Sequence, residues 1–196
     1  MSKALYGGAI TVVLPSSYHD VSSHRQVPDH QEVWLDLNGD CSFICEIVEA
    51  QSEVSPGEAA AYFWQDLCES NDSSETQKWR EINDPDVLDP FLPAQFREPK
   101  ASPCDRVVFC CGWQTSTNSN NGIGDVGGET NRVFICLAIL RLHGVGAEML
   151  LTLNAPQKNC SSTLVLSDLE HETRALDTFR GILSTFEIRQ WELFAS

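Results

Sequence analysis

The sequence predicts an α+β protein, an α/β/α sandwich on a mainly antiparallel, twisted sheet of about six strands flanked by helices. Three observations predict it. Asn38-Gly39 stands between two short β-rich runs, as the turn of a hairpin does. Two long apolar runs, 132–142 and 147–153, are separated only by a short stretch holding Gly144 and Gly146, which reads as a second hairpin. Two serine-led helix starts, at Ser55 and Ser167, place one helix in the middle of the chain and one near its end. Strands joined chiefly by hairpins favour helices layered on an antiparallel sheet over a parallel nucleotide-binding sheet.

In chain order, residues 5–14 are β-branched, leave a Gly-Gly start and stop at Pro15, which predicts a first strand. Residues 32–37 and 42–48 form the arms of the Asn38-Gly39 hairpin. Ser55-Pro56-Gly57-Glu58 reads as a capping box with proline at the first helical position, and predicts a helix to about Glu69. Its face is Ala59, Tyr62, Phe63, Asp66 and Leu67. Five of the nine prolines fall in residues 70–105, so that stretch reads as an irregular, Pro-rich insertion, with Trp79 as an anchor.

Residues 106–111 predict another strand, and Thr115 to Gly128 a Ser/Asn/Gly-rich loop. The near-continuous apolarity of 132–142 and 147–153 predicts central strands covered on both sides. From the Ser167 capping box, Leu169, Leu176, Phe179, Leu183 and Phe186 recur at helical spacing toward Trp191, predicting a long terminal helix.

Length and composition agree with this. A chain of 196 residues with 42% apolar side chains should form one domain, 1–196, burying roughly 70% of its unfolded surface. The net charge of −15 argues against nucleic-acid binding, which needs Lys and Arg to displace counterions, and favours a basic partner. No secretory leader and no apolar run of membrane-spanning length is visible, so an intracellular protein without membrane insertion is expected. In that setting the eight cysteines are thiols, chiefly small core residues.

Few motifs promise chemistry. Gly122-Ile-Gly124-Asp-Val-Gly127 matches a dinucleotide fingerprint but follows a loop and precedes a strand, the reverse of what a pyrophosphate site needs. A nucleophile made of Cys110 or Cys111 with His143 has no local support, because both cysteines lie in an apolar strand. His19, His24, His30, Cys41 and Cys45 match no usual zinc spacing. No cofactor and no metal is expected.

Two polar features remain. Residues 20–33 are denser in polar groups than a strand connection requires, with Arg25 as an ion-pairing residue. Glu46 and Glu49 punctuate an apolar arm three residues apart, on one face if the arm turns helical and on opposite faces if it stays extended. Buried unpaired carboxylates are costly, so both belong at a rim facing water or a cation.

These strings resemble the Ran-interacting Mog family, the Ran guanine-nucleotide release factors. The matching residues are Leu5-Tyr-Gly-Gly-Ala-Ile, Asp20-Val-Ser, Arg25-Gln-Val-Pro-Asp-His-Gln-Glu-Val33 and Ile44-Cys-Glu-Ile-Val-Glu49, then Ala138-Ile-Leu-Arg-Leu142, Leu153-Asn-Ala-Pro156 and Leu193-Phe-Ala. Pro15-Ser-Ser-Tyr-His departs from the family pattern, where Pro-Pro-Gly is commoner. The resemblance implies an antiparallel sheet flanked by helices, similar to a photosystem extrinsic subunit. It also implies a protein of nucleus and cytoplasm, mainly nuclear, that binds the GTPase Ran, alone or with a further Ran-binding protein, and promotes nucleotide release without hydrolysing it; apart from the resemblance, a monomer is expected. Site residues carried over are Glu46 and Glu49, with Asp29, Glu32 and Gln31 from the signature loop and Arg25 holding that loop. The alternative is an adaptor that binds Ran or a membrane protein without exchange.

Overall fold

The computed structural model describes residues 1–22, 24, 26–71, 73, 79–82, 92, 94–97, 104, 106–116, 131–157 and 168–194. Strands β1 (Ser2–Leu5), β2 (Ile10–Val13), β3 (Tyr18–Asp20), β4 (Gln31–Asp36) and β5 (Ser42–Glu49) precede helix α1 (Ala59–Ser70). Then come β6 (Trp79–Glu81), a one-turn helix α2 (Ala94–Arg97), β7 (Arg106–Ser116), β8 (Asn131–Leu142) and β9 (Ala147–Gln157). Helix α3 (Asp168–Leu183) and β10 (Glu187–Ile188) complete the order.

Seven strands form one sheet, in the order β3-β4-β5-β9-β8-β7-β6, and all of its pairings are antiparallel. The hairpin predicted as central is central: β8 and β9 are long strands with buried apolar residues on both faces, which gain from cover on both sides. Alternation along β8 divides the core. Phe134, Cys136, Ala138 and Leu140 face α3, where they meet Leu176, Phe179 and Leu183, while Ile135, Leu137 and Ile139 face Phe63 and Trp64 of α1. A second sheet, β1-β2-β10, lies on the α3 side. The sandwich is as expected: among the described residues the main sheet has seven strands where about six were predicted, and the small second sheet is an addition.

The expected first strand over 5–14 is two strands. Tyr6, Gly7 and Gly8 all take positive φ (48°, 65° and 98°), which reverses the chain so that β1 pairs back on β2. Around Asn38-Gly39 the hairpin is correct, but its loop has five residues and the left-handed position is Asp40, at φ 58°. Glycine at 39 provides room instead, since a Cβ there would sit 2.6 Å from an Asp36 carboxylate oxygen.

Helix α1 starts at Ala59, after the predicted box. The Ser55 hydroxyl donates to the Glu58 carboxylate, and neither side chain caps a helical amide. Its buried face is Ala59, Ala60, Phe63, Trp64 and Cys68, so Tyr62 and Asp66 are exposed, against expectation. Trp64 and Cys68 extend the apolar stripe in a direction that an early helix start conceals. In the stretch 70–105, Trp79 does anchor: it stacks on Trp64 at 6.0 Å and opens β6 at the sheet edge.

Strand β7 runs to Ser116, beyond the predicted start of the loop, because Thr115 and Ser116 continue the ladder with Arg132 and Asn131. The rest of that loop, with Gly122 to Gly127, lies outside the described residues, as does Ser167. The terminal helix is shorter than expected. It stops at Leu183, and the chain turns so that Glu187 and Ile188 pair with β2, while Phe186 is buried from outside the helix. Leu169, expected on the inner face, is exposed.

Candidate partner-binding site

The site begins with the pairing of β4 and β5. Gln31 lies opposite Glu46 and Glu32 opposite Cys45. Successive residues of a strand point to opposite faces, so Gln31 and Glu46 share the α1 face while Glu32 and Cys45 face the other way. On the first face Gln31 Nε2 donates to Glu46 Oε1 at 2.8 Å, and His30 Nε2 approaches the same oxygen at 3.4 Å. The Glu46 side chain keeps a quarter of its surface open, at the rim.

On the second face Glu32 Oε1 accepts the backbone N–H of Tyr6 at 2.7 Å. The Tyr6 hydroxyl lies 2.9 Å from the carbonyl oxygens of both His30 and Cys45, which share its single hydrogen. Burial pushes the Tyr6 hydroxyl and the Cys45 thiol far above their ordinary ranges, so both stay neutral. Burial also raises the Glu32 carboxyl, against the opposing effect of the Tyr6 N–H bond. Glu32 therefore acts first on its own fold: it ties the Tyr6 turn to the hairpin.

Asp29 and His30 are exposed in the turn before β4, which closes with Gln31 N–H on the Pro28 carbonyl. Glu49 is exposed at the end of β5. Because β5 stays extended, Glu46 and Glu49 occupy opposite faces, which answers the question their spacing left open. The structure thus joins Gln31 with Glu46, places Asp29 in the neighbouring turn, and separates Glu32 and Glu49 from that face. Arg25 lies outside the described residues. His30 was missed as a neighbour of Glu46, although its place beside Gln31 in the signature string was a usable signal.

The other candidates fare differently. Burial pushes the Cys110 thiol far up and the Cys111 thiol up to about 11, so neither is a thiolate near neutral pH. His143 sits instead against Glu148, at 3.3 Å. Among the described residues no group of three or more His, Cys, Asp or Glu is placed to hold a metal, and no helix is long and apolar enough to cross a membrane.

Residues 3–156 match the family model described as Ran-interacting Mog1 protein. The chain belongs to the Ran-interacting Mog1 family. Over 189 residues it is 31% identical to the Ran guanine nucleotide release factor of Danio rerio, which spans 96% of each chain. It is 26% identical over 199 residues to the nuclear import protein mog1 of Schizosaccharomyces pombe, spanning 97% of this chain and 98% of that one. The crystal structure of the Saccharomyces cerevisiae Ran-binding protein Mog1p superposes with a TM-score of 0.63 at 21% identity, over 99% of this chain and 97% of that chain. The fold is thus a Mog1 fold, and its two signature strings, around Tyr6 and around Glu32, meet in one hydrogen bond.

Proposed function

We propose that this protein binds the small GTPase Ran and promotes release of its guanine nucleotide, in support of nucleocytoplasmic transport. The observation that carries this reading is membership along most of the chain in a Ran-interacting family, with end-to-end relatives that bear the name of release factors. Charge agrees: residues 1–98 hold 18 acidic and 5 basic side chains, which suits a basic partner surface. The proposed contact surface is the Asp29 turn with Gln31, Glu46 and His30, extended by Glu32 and Glu49 on the other face and by Arg25.

Release requires differential affinity. A carboxylate surface that engages basic residues near Ran's nucleotide pocket more strongly in a state with weakened phosphate contacts shifts Ran toward that state, whereas equal affinity for both states shifts nothing. The protein acts in this reading without hydrolytic chemistry of its own, between nucleus and cytoplasm. The test is fluorescence-detected loss of labelled GTP and GDP from Ran, with this protein at substoichiometric and stoichiometric amounts. Acceleration at substoichiometric amounts is the expected result. A stable complex with no acceleration identifies an adaptor, and the absence of any complex overturns the reading. Because Glu46 and Glu49 lie on opposite faces, Glu46→Lys and Glu49→Lys are to be measured separately; the larger loss is expected from Glu46.

A further inference from the structure

Oxygen Oε1 of Glu46 has two neighbours that differ in kind. Gln31 Nε2 donates to it at 2.8 Å from the facing strand, and an amide keeps that donor at any ordinary pH. His30 Nε2 lies 3.4 Å from the same oxygen, and histidine is the side chain whose charge ordinarily changes between about pH 5 and 8. The backbone fixes the ring's place. The His30 carbonyl accepts the Ile47 N–H at 2.9 Å and lies 2.9 Å from the Tyr6 hydroxyl, which ties residue 30 to β5 and to the Tyr6 turn. Its side chain meanwhile keeps 55% of its surface open, so taking up a proton there carries little desolvation cost.

The other charged groups around this pair are acidic. Asp29 precedes His30 in the turn, and Glu32 lies beyond it on the far face of β4, bound to the Tyr6 N–H. Asp66 of α1 lines the same recess as Gln31 and Glu46. Among the described residues no lysine or arginine forms an ion pair with Glu46. A charged His30 is therefore the internal counter-ion of Glu46, and it is present only when the ring is protonated.

We propose that His30 competes with a basic side chain of the protein partner for Glu46, so that protonation of His30 weakens partner binding. The inference rests on the reading under the proposed function, in which the Glu46 surface engages basic residues of Ran. With His30 neutral, the carboxylate offers its full charge to the partner. With His30 charged, Glu46 already has a counter-ion, and a basic surface meets a patch with one more positive charge. Affinity therefore rises as pH rises through the histidine range. Gln31 acts beside this as a positioning residue, since it holds Oε1 in place whichever state the imidazole is in.

The test compares Ran binding at about pH 5.8 and about pH 7.8 for four forms of the full chain: wild type, His30→Gln, Glu46→Gln and the double variant. Titration of Ran itself is common to all four. The gain in affinity at the higher pH should be about two- to fivefold larger in wild type than in His30→Gln, the range expected of an exposed pair. With Glu46 already replaced, His30→Gln should leave that gain unchanged. An equal gain in wild type and His30→Gln, or a histidine effect that persists without Glu46, overturns the proposal. A second measurement needs no partner. In NMR of the free chain, lowering the pH over the same range should move the Gln31 side-chain amide resonances in wild type and not in His30→Gln, because both donors meet at Oε1. Without that response the proposal is overturned even where Ran binds. Ran binding with no histidine-dependent gain overturns the competition alone, whereas the absence of any Ran complex at either pH overturns the proposed function and, with it, Ran as the competitor.

Discussion

The Glu32 carboxylate accepts the N–H of Tyr6 at 2.7 Å, and so a strand of the large sheet holds the turn of the small one. Removing the acceptor leaves that amide without its partner, and Glu32→Ala should lower stability by about 1–3 kcal/mol in urea unfolding. Glu32→Gln retains an acceptor and should cost less.

The same carboxyl has a pH signature. Its folded pKa is raised above 4.5, chiefly by burial, so the folded state holds the proton more tightly than the unfolded one. The resulting stabilisation is complete below pH 4.5 and is lost as pH rises through the folded value. The stability of wild type relative to Glu32→Gln should fall across that window and then level off. A difference that rises with pH instead would show that the Tyr6 N–H bond outweighs burial.

Arg141 and Glu148 form a pair that is almost wholly buried, at 1% and 0% exposure. Arg141 also donates to the carbonyls of Gln51 and Val54, and Glu148 accepts the Gln51 N–H, so the pair clamps the connection between β5 and α1. Glu148→Ala leaves a buried cation without its counter-charge and should cost about 3–5 kcal/mol by thermal or urea unfolding. Combining it with Arg141→Met removes the unpaired charge and should recover part of the loss. The recovery stays partial because two loop carbonyls lose their donor.

Gly8 takes φ 98°, with open space where a side chain would point. Gly8→Ala should therefore be destabilising through backbone strain alone, by about 1–2 kcal/mol. A circular-dichroism melt of that variant beside Gly57→Ala, at a position with equally open space and no positive φ, separates strain from the general effect of replacing glycine by alanine.

Cys41 is partly exposed, whereas Cys45, Cys68, Cys104, Cys110, Cys111 and Cys136 are buried. Iodoacetamide at pH 8 should modify Cys41 first among these, with mass spectrometry after peptide digestion as the readout. Early labelling of Cys110 or Cys111 would contradict their raised thiol pKa values.

The sequence was most informative where one physical signal dominated. The apolarity of β8 and β9 fixed both their type and their central place, and the runs beside Asn38-Gly39 identified a hairpin. It was least informative where glycine or a short strand decided the path. Positive φ at Tyr6 to Gly8 split one expected strand, and the two-residue β10, too short to show a period, replaced the end of the expected helix. At the site, the cost of burying an unpaired carboxylate pointed Glu46 to a rim but left its partners unspecified. Register did that, since the pairing of Gln31 with Glu46 and of Glu32 with Cys45 joins segments whose alignment depends on the length of the hairpin loop.

The central sheet sets an order of assembly. β8 and β9 are adjacent in sequence and can zip together early, but β9 then waits for β5, whose partners lie far away: Ser42 meets Asn154 across 112 positions of chain. Until that closure, β9 presents an unpaired edge whose residues are mostly buried in the finished fold, the kind of surface on which a second chain can nucleate. Refolding yield should therefore drop steeply with protein concentration, and the early hairpin rather than the finished molecule is the state at greatest hazard.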